Sequence, residues 1–471
     1  MRLFVYLVIK TTLLKKLLLL LSFFCFRQIE AQVCFSSPAI YQTVSGSQIA
    51  SITTADFNGD GKLDIATANG NDKVYVLLNT GGGNFGTVNS FTLTTNSQPS
   101  SITNADFNGD GLIDLVTVNS YSLANSVSLL LGDGVGGFGS PTNFTLSATP
   151  SLTVSDDFNG DAKADLAVSY WNSGNFSILL GNGTGSFNTP TTFSVSSGIT
   201  SILSGDFNKD GKKDVTTAGN SNTLSVLLGT GTGSFNTPVD SPVLYGPGDP
   251  ITLSDFNGDT LLDIAVADYS NWTSSVYAVL DTGSCHFDQG TEFNNSNGWP
   301  VSITCGDYNK DGKNDVIAGY NAASSNLSVF LGDGTGHLNF ATILSSGGPV
   351  PLSLISADFN GDSYPDLAAG HNNPSHVAVF INCVNTIDVN NNTNEVSIII
   401  SPNPAANYFT IETNSKEKQT MKVFDVNGKM VLNQTITGTA KIDARNLDEG
   451  VYSVTIWGGN QTTTKKLVII R

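Results

Sequence analysis

One nonamer, Asp-Phe-Asn-Gly-Asp-Gly-x-x-Asp, starts at Asp56 and returns with small variations at Asp106, Asp157, Asp206, Asp255, Asp307 and Asp358. The spacings are 50, 51, 49, 49, 52 and 51 residues. Intervals this even mean one structural unit used seven times over, each unit burying its apolar faces against its neighbours.

Every copy carries oxygen-bearing side chains at positions 1, 3, 5 and 9. Position 1 is Asp56, Asp106, Asp157, Asp206, Asp255, Asp307 or Asp358, and position 3 is Asn58, Asn108, Asn159, Asn208, Asn257, Asn309 or Asn360. Position 5 is Asp60, Asp110, Asp161, Asp210, Asp259, Asp311 or Asp362, and position 9 is Asp64, Asp114, Asp165, Asp214, Asp263, Asp315 or Asp366. The carbonyl of position 7 (Lys62, Leu112, Lys163, Lys212, Leu261, Lys313 or Tyr364) adds a fifth oxygen. Alternate positions of a tightly wound loop point inward, so one short segment can offer a hard cation five oxygens, at about 2.3–2.6 Å for calcium. Up to seven calcium ions are expected. The cation also accounts for the charge. Residues 32–398 hold 33 acidic against 8 basic side chains, a net −25, and 21 of those acids are the motif aspartates. So acidic a body disfavours nucleic acid and anionic membrane surfaces as partners.

Position 6, where a sharp turn favours glycine, is Gly61, Gly111, Gly211 and Gly312 in four copies but Ala162, Thr260 and Ser363 in the others. A Cβ in left-handed backbone costs about 1–2 kcal/mol. Weaker or slower-filling sites are therefore expected in the third, fifth and seventh copies, and seven equivalent steps in a calcium titration would contradict that.

Around each loop the pattern is strand-like. A short strand such as 51–55 precedes it, 63–67 follows, then a third strand such as 74–78, a Gly-rich turn with an aromatic such as 134–138, and a fourth strand. Four short strands per repeat make one blade of a β-propeller, and a closed ring of seven removes free sheet edges. Residues 132–137 superficially suggest a phosphate loop, but a strand follows them, not a helix, so they read as a hairpin turn.

The chain opens with Lys10, Lys15 and Lys16 before the apolar run 17–26 and a polar stretch to Ala31, the layout of a secretory signal. With residues 1–31 removed, no segment is long and apolar enough to span a bilayer, and the mature chain is expected to be soluble and extracytoplasmic. Four cysteines then remain: Cys34, Cys285, Cys305 and Cys383. Three pairings are open. The expected one joins Cys285 to Cys305, neighbours in sequence, and Cys34 to Cys383, which bracket the repeats.

On these motifs residues 33–384 resemble the FG-GAP and VCBS repeats of integrin α-subunit propellers and bacterial surface proteins. The resemblance implies a seven-bladed propeller with calcium in the loop joining the first two strands of each blade. A Cys34–Cys383 bridge would then tie the ring shut where its ends meet.

After a polar linker, 385–398, the loop motif is gone. The last 73 residues carry 9 basic against 6 acidic side chains. Alternating segments at 408–412, 421–426, 429–434, 451–457 and 465–470, with Asn427-Gly428 as a hairpin turn, read as a small Ig-like β-sandwich. Ser401-Pro402-Asn403-Pro404, the block 423–429, the block 447–452 and Lys465-Lys466-Leu467-Val468 occur in order. Residues 399–471 thereby resemble the type A C-terminal sorting domain of the type IX secretion system. That implies engagement with its machinery, export across the outer membrane, and release or surface attachment.

No catalytic constellation stands out, and the chain is expected not to be an enzyme. His371 and His376, five apart among Gly, Asn and Pro, lack zincin spacing and read as solvated loop residues. In an up-and-down blade the first and third turns lie on one face of the ring. The second turns and blade crossovers lie on the other, and there fall Tyr121, Tyr170, Trp171, Tyr269, Trp272, Trp299 and Tyr320. Aromatic rings among Asn and Ser suit a glycan or a protein loop. The expected function is an adhesion or binding module for glycan or protein; a lyase-type polysaccharide enzyme and a structural spacer are the alternatives.

Overall fold

The structure is a computed structural model that describes residues 33–43, 47–120, 125–196, 198–219, 222–243, 250–268, 275–294, 298–321, 326–372, 374–383, 398–413, 418–425, 429–458 and 461–470. The expected signal segment lies outside them, and so does the expected linker but for Ile398, which opens a strand. The chain divides into two units, Met1–Asn385 and Thr386–Arg471. The described residues are all strand, turn and loop, and none forms a helix long and apolar enough to cross a membrane.

The first unit holds seven four-stranded antiparallel sheets among its described residues. The first blade runs Ile49–Ala55, Asp64–Asn69, Lys73–Gly81 and Asn84–Thr92 in simple up-and-down order. Blades 2 to 6 repeat this over 99–145, 150–194, 199–242, 251–294 and 299–345. The seventh uses Pro351–Ala357, Asp366–His371 and His376–Phe380, and takes its outer strand, Ala39–Gln42, from the start of the chain. The innermost strand of each blade packs on that of the next, and the seventh packs on the first, so the sheets close into a ring.

The second strand of every blade is a β-branched and Ala-rich run such as Asp-Leu-Val-Thr-Val-Asn at Asp114–Asn119, buried along its whole length in six blades and to the last residue but one in the sixth. Both faces are covered because alternate residues serve different seams. Ile65 packs with Leu77, Ala368 and Val379 toward blade 7, whereas Ala66 and Ala68 pack with Ile102 and Leu115 toward blade 2. The inner strands are polar for another reason, since their hydroxyls stitch blade to blade. Thr103 Oγ1 lies 2.7 Å from Ser155 Oγ, Ser302 Oγ donates to the Pro351 carbonyl at 2.6 Å, and the Ile52 amide donates to Ser353 Oγ at 3.2 Å across the closing seam.

The Cys34–Cys383 disulfide is present, 349 residues apart in sequence, beside a Cys383 amide to Cys34 carbonyl bond of 2.7 Å. The second expected bridge is corrected: Cys285 and Cys305 are both free thiols. Cys285 packs with Phe207, Ala218 and Leu224 in the seam between blades 4 and 5, whereas Cys305 lies in the seam between blades 5 and 6. The sheet of blade 5 stands between them, and proximity in sequence concealed that. Burial pushes the Cys285 thiol up to about 12, so it stays protonated.

The second unit pairs Ile398–Ser401, Tyr408–Thr413 and Thr439–Asp443 in one sheet, and Met430–Ile436, Gln419–Phe424, Gly450–Gly458 and Gln461–Ile469 in another. Phe409, Ile411, Met421, Val423, Ile442, Val454, Ile456 and Leu467 fill the core between them. The 398–401 and 439–443 strands were not read from the sequence, and Asn427-Gly428 lies outside the described residues. Asn403 ties the first sorting block to the last: its Nδ2 donates to the Lys466 carbonyl at 2.7 Å and its Oδ1 accepts the Val468 amide at 2.9 Å. The third block closes on itself, Tyr452 OH donating to the Asp448 carbonyl at 2.8 Å.

The closing disulfide restrains a very long loop of the unfolded chain, so Cys34→Ser with Cys383→Ser should destabilise the propeller by about 2–5 kcal/mol. Urea unfolding checks this; an unchanged midpoint would show that strand pairing alone shuts the ring.

Candidate functional site

Each acidic nonamer is the first turn of its blade, between the inner and second strands. Its geometry rests on the position-9 aspartate, the first residue of the second strand and fully buried in all seven copies. One oxygen accepts the amide of position 2: Phe57, Phe107, Phe158, Phe207, Phe256, Tyr308 and Phe359, at 2.9–3.0 Å. The other accepts an amide at the end of the third strand, from Asn79, Gly132, Gly181, Gly229, Asp281, Gly332 or Asn382, at 2.7–2.9 Å. The aspartate thus brackets the loop to the far side of its own sheet. The position-2 aromatic ring is buried in every copy.

The rest of the loop winds on its own carboxylates. In the first copy Asp56 accepts the amides of Asp60 and Gly61, Asn58 Oδ1 accepts the Asp60 amide, and Asp60 Oδ1 accepts the Lys62 amide. Position 6 is left-handed throughout, including Ala162 (φ 62°), Thr260 (75°) and Ser363 (66°), which accords with strain in those copies. Position 4 is left-handed too, and it is Lys209 (58°) and Lys310 (55°) in the fourth and sixth. Only the first two copies have glycine at both; the Asn-Gly-Asp core of five copies already carried that signal.

The side chains of position 7 were also missed. Lys62, Lys163 and Lys212 reach back to the position-5 carboxylate of their own loop at 2.7–2.9 Å, and Lys313 at 3.7 Å. The ammonium hydrogen bond holds Asp60, Asp161 and Asp210 below the usual carboxylate range. Where position 7 is Leu112, Leu261 or Tyr364, the amide of Asn108, Asn257 or Asn360 donates to that oxygen instead, at 2.8–3.0 Å.

Among the described residues no three His, Cys, Asp or Glu side chains already stand gathered as a metal cluster. The donor set nevertheless fits a hard cation: every side-chain and carbonyl donor is oxygen, and a carboxylate oxygen that accepts an amide keeps a second lone pair. Burial pushes the position-9 carboxyls of Asp64, Asp165, Asp263 and Asp366 up to about 6 and Asp315 up to about 7. Asp114 and Asp214 move the same way. The two amide bonds oppose the rise, and the like charges of positions 5 and 1 add to it, so the three carboxylates of a loop sense one another.

The loops also join blade to blade. The carbonyl of position 2 accepts a third-turn glycine amide of the next blade in four seams: Gly136 to Phe57, Gly185 to Phe107, Gly233 to Phe158 and Gly336 to Phe256, at 3.0–3.1 Å. Asn382 Nδ2 to the Tyr308 carbonyl and Asn79 Nδ2 to the Phe359 carbonyl serve the two seams beside the closure, at 2.8 and 2.7 Å. First and third turns therefore share one face of the ring.

The opposite face holds the described aromatic candidates, and the structure separates them. Trp171 is 70% exposed and Trp299 half-buried, but Tyr170 and Tyr320 are buried, Tyr320 in the seam between blades 5 and 6. Tyr121, Tyr269 and Trp272 lie outside the described residues. Two cavities open here. One of about 440 Å³ is lined by Ser100, Ser151, Leu152, Trp171, Asn172, Ile199 and Thr200. The other, about 370 Å³, is lined by Ser47, Gln48, Ala50, Gly70, Gln98, Pro99, Ser100, Ser120 and Asn372. Ser100 belongs to both. His371 and His376 correct another expectation: they are buried at strand ends, their rings stacked at 4.6 Å, and burial pushes His371 down to about 4.

The profile of the FG-GAP-like repeat matches residues 56–117, 157–217, 206–266, 255–318 and 307–369, and that of the secretion system C-terminal sorting domain matches 399–470. No curated protein matches the sequence. Chains from two crystal structures of BBS1N in complex with ARL6DN, one soaked with mercury and one with lead, share the fold. They are 15% and 13% identical, with TM-scores of 0.53 and 0.51, each over 74% of this chain and 97% of that chain.

Two outcomes are expected. Asp214→Asn sets an amide donor against a buried backbone amide and should destabilise the propeller by about 1–3 kcal/mol in chemical denaturation; an exposed aspartate such as Asp240 serves as control. In chelator, the folded state holds the position-9 protons more tightly than the unfolded chain does, where an aspartate titrates near 3.9. Their contribution to stability should therefore be full below about 3.9 and be lost as pH climbs from there through about 6 to 7. A metal-free melting temperature that rises over that interval would contradict it.

Proposed function

This chain belongs to the FG-GAP-like repeat family and carries a secretion system C-terminal sorting domain, and on that premise we propose that it is a calcium-stabilised binding module. The sorting domain marks it for export, to the medium or the cell surface, and for contact with the secretion machinery. The propeller would present a glycan or protein ligand to its second-turn face, acting as an adhesin and not as a catalyst.

The division of labour between the two faces carries the reading. One face is committed to acidic loops clasped by third turns. The other carries a hydroxyl- and amide-lined groove with an exposed indole, a surface of ligand-site size with a few oriented polar groups. Calcium fits the first face as a fastening. Asp, Asn and carbonyl oxygens of positions 1, 3, 5, 7 and 9 would hold it, and a dication would offset carboxylates that otherwise raise one another.

The test has two arms. Each site filled a hundredfold above its Kd adds about 2.7 kcal/mol, so calcium-loaded protein should melt well above protein in chelator; identical melting temperatures would remove calcium from the account. A glycan array and a panel of extracellular proteins then probe the ligand, and release of unsaturated sugars from a bound polysaccharide would point to a lyase instead.

A further inference from the structure

The second-turn face has more detail than the general reading uses. The second turn of blade 3, 171–174, is held from both sides: the Trp171 amide donates to the Thr149 carbonyl, and the Ser173 and Gly174 carbonyls accept the Ile199 and Val195 amides, all at 2.8 Å. Beneath it, Tyr170 OH donates to Ser177 Oγ at 2.8 Å. An indole 70% exposed would ordinarily be a liability, yet this one is presented on a turn pinned to the crossovers before and after it. Leu152 and Ile199 give the cavity beside it an apolar wall.

From Ser100 the groove continues across blades 2 and 1 to Gln48 and Asn372 of the closing seam. Its exposed ends and middle are side-chain amides: Asn172, Gln98 and Gln48 are solvent-exposed and make no side-chain hydrogen bond among the described residues. Among the described residues no ionisable side chain lines either cavity. The propeller body, at a net −25, repels anions, and the groove offers no cation to hold one.

Resting on the binding-module reading of this face, we propose that the groove from Trp171 through Ser100 to Gln48 binds a neutral, linear oligosaccharide, one sugar ring stacking on the Trp171 indole while the amides of Asn172, Gln98 and Gln48 pair with hydroxyls along the chain. A pyranose has an apolar C–H face and an equatorial rim of hydroxyls. The indole and Leu152–Ile199 wall suit the first; primary amides, which donate and accept at once, suit the second. A peptide would be served less well, because among the described residues the groove offers a single aromatic contact and no row of side-chain pockets. Two cavities joined at Ser100 make the site longer than one sugar.

Calorimetric titration of calcium-replete protein tests this with cello-, malto-, manno- and xylohexaose, their disaccharides, and hexagalacturonate as the anionic comparison. At least one neutral hexaose should bind more tightly than its disaccharide, and hexagalacturonate more weakly. Trp171→Ala should lower the hexaose affinity about tenfold or more, and Trp171→Phe less, with unchanged melting temperatures. Gln48→Ala should weaken the hexaose but not the disaccharide. Neutral glycan binding untouched by Trp171→Ala, or preference for hexagalacturonate, would overturn this site and leave a glycan-binding module standing. Binding only to a protein from the panel would overturn it and leave an adhesin. Failure of every glycan and every protein would overturn both.

Discussion

A buried carboxylate with one amide on each oxygen holds this propeller together. The position-9 aspartate ties its own loop to the end of the third strand, and the residue whose amide it accepts, at position 2, passes the constraint outward. That residue's ring fills the core and, in six seams, its carbonyl accepts a donor from the next blade. Intrablade closure and interblade packing thus meet at one peptide unit. Two charge-assisted hydrogen bonds in a buried setting are strong and specific in direction, which suits a joint that must repeat at the same angle around a ring.

The arrangement divides the two faces by charge. Carboxylates gather where first and third turns meet, partly screened by the position-7 lysines or capped by the position-3 amides. The opposite face keeps hydroxyls, amides and a few rings. Inner strands lie between the two and use Ser and Thr for sideways stitching along their length, while at their second-turn ends Ser100, Ser151 and Thr200 line the groove.

Much of this was legible in the sequence because the repeat is strict. Seven loops at near-constant spacing gave the blades, and Ala162, Thr260 and Ser363 gave the strained turns. What escaped depended on contacts between repeats. Lys209 and Lys310 occupy a second left-handed position, which only the glycine of the other five copies marks. Cys285 and Cys305 are near in sequence but sit on opposite faces of one sheet. Tyr170 and Tyr320 read like turn aromatics, yet each is the sixth residue of a second strand, a position that is buried in every blade, and Tyr320 fills the seam between blades 5 and 6. His371 and His376 likewise belong to strand ends, not to the loop between them.

The strand Ala39–Gln42 has no place to go until His376–Phe380 exists. Six blades can assemble from contacts within about fifty residues of each other, a local and hence rapid kind of self-assembly. The seventh requires the two extremes of the propeller chain to find one another. Vectorial folding would therefore leave a six-bladed crescent waiting with a dangling leader strand, and the slow, entropically demanding event would be the final suturing of that gap.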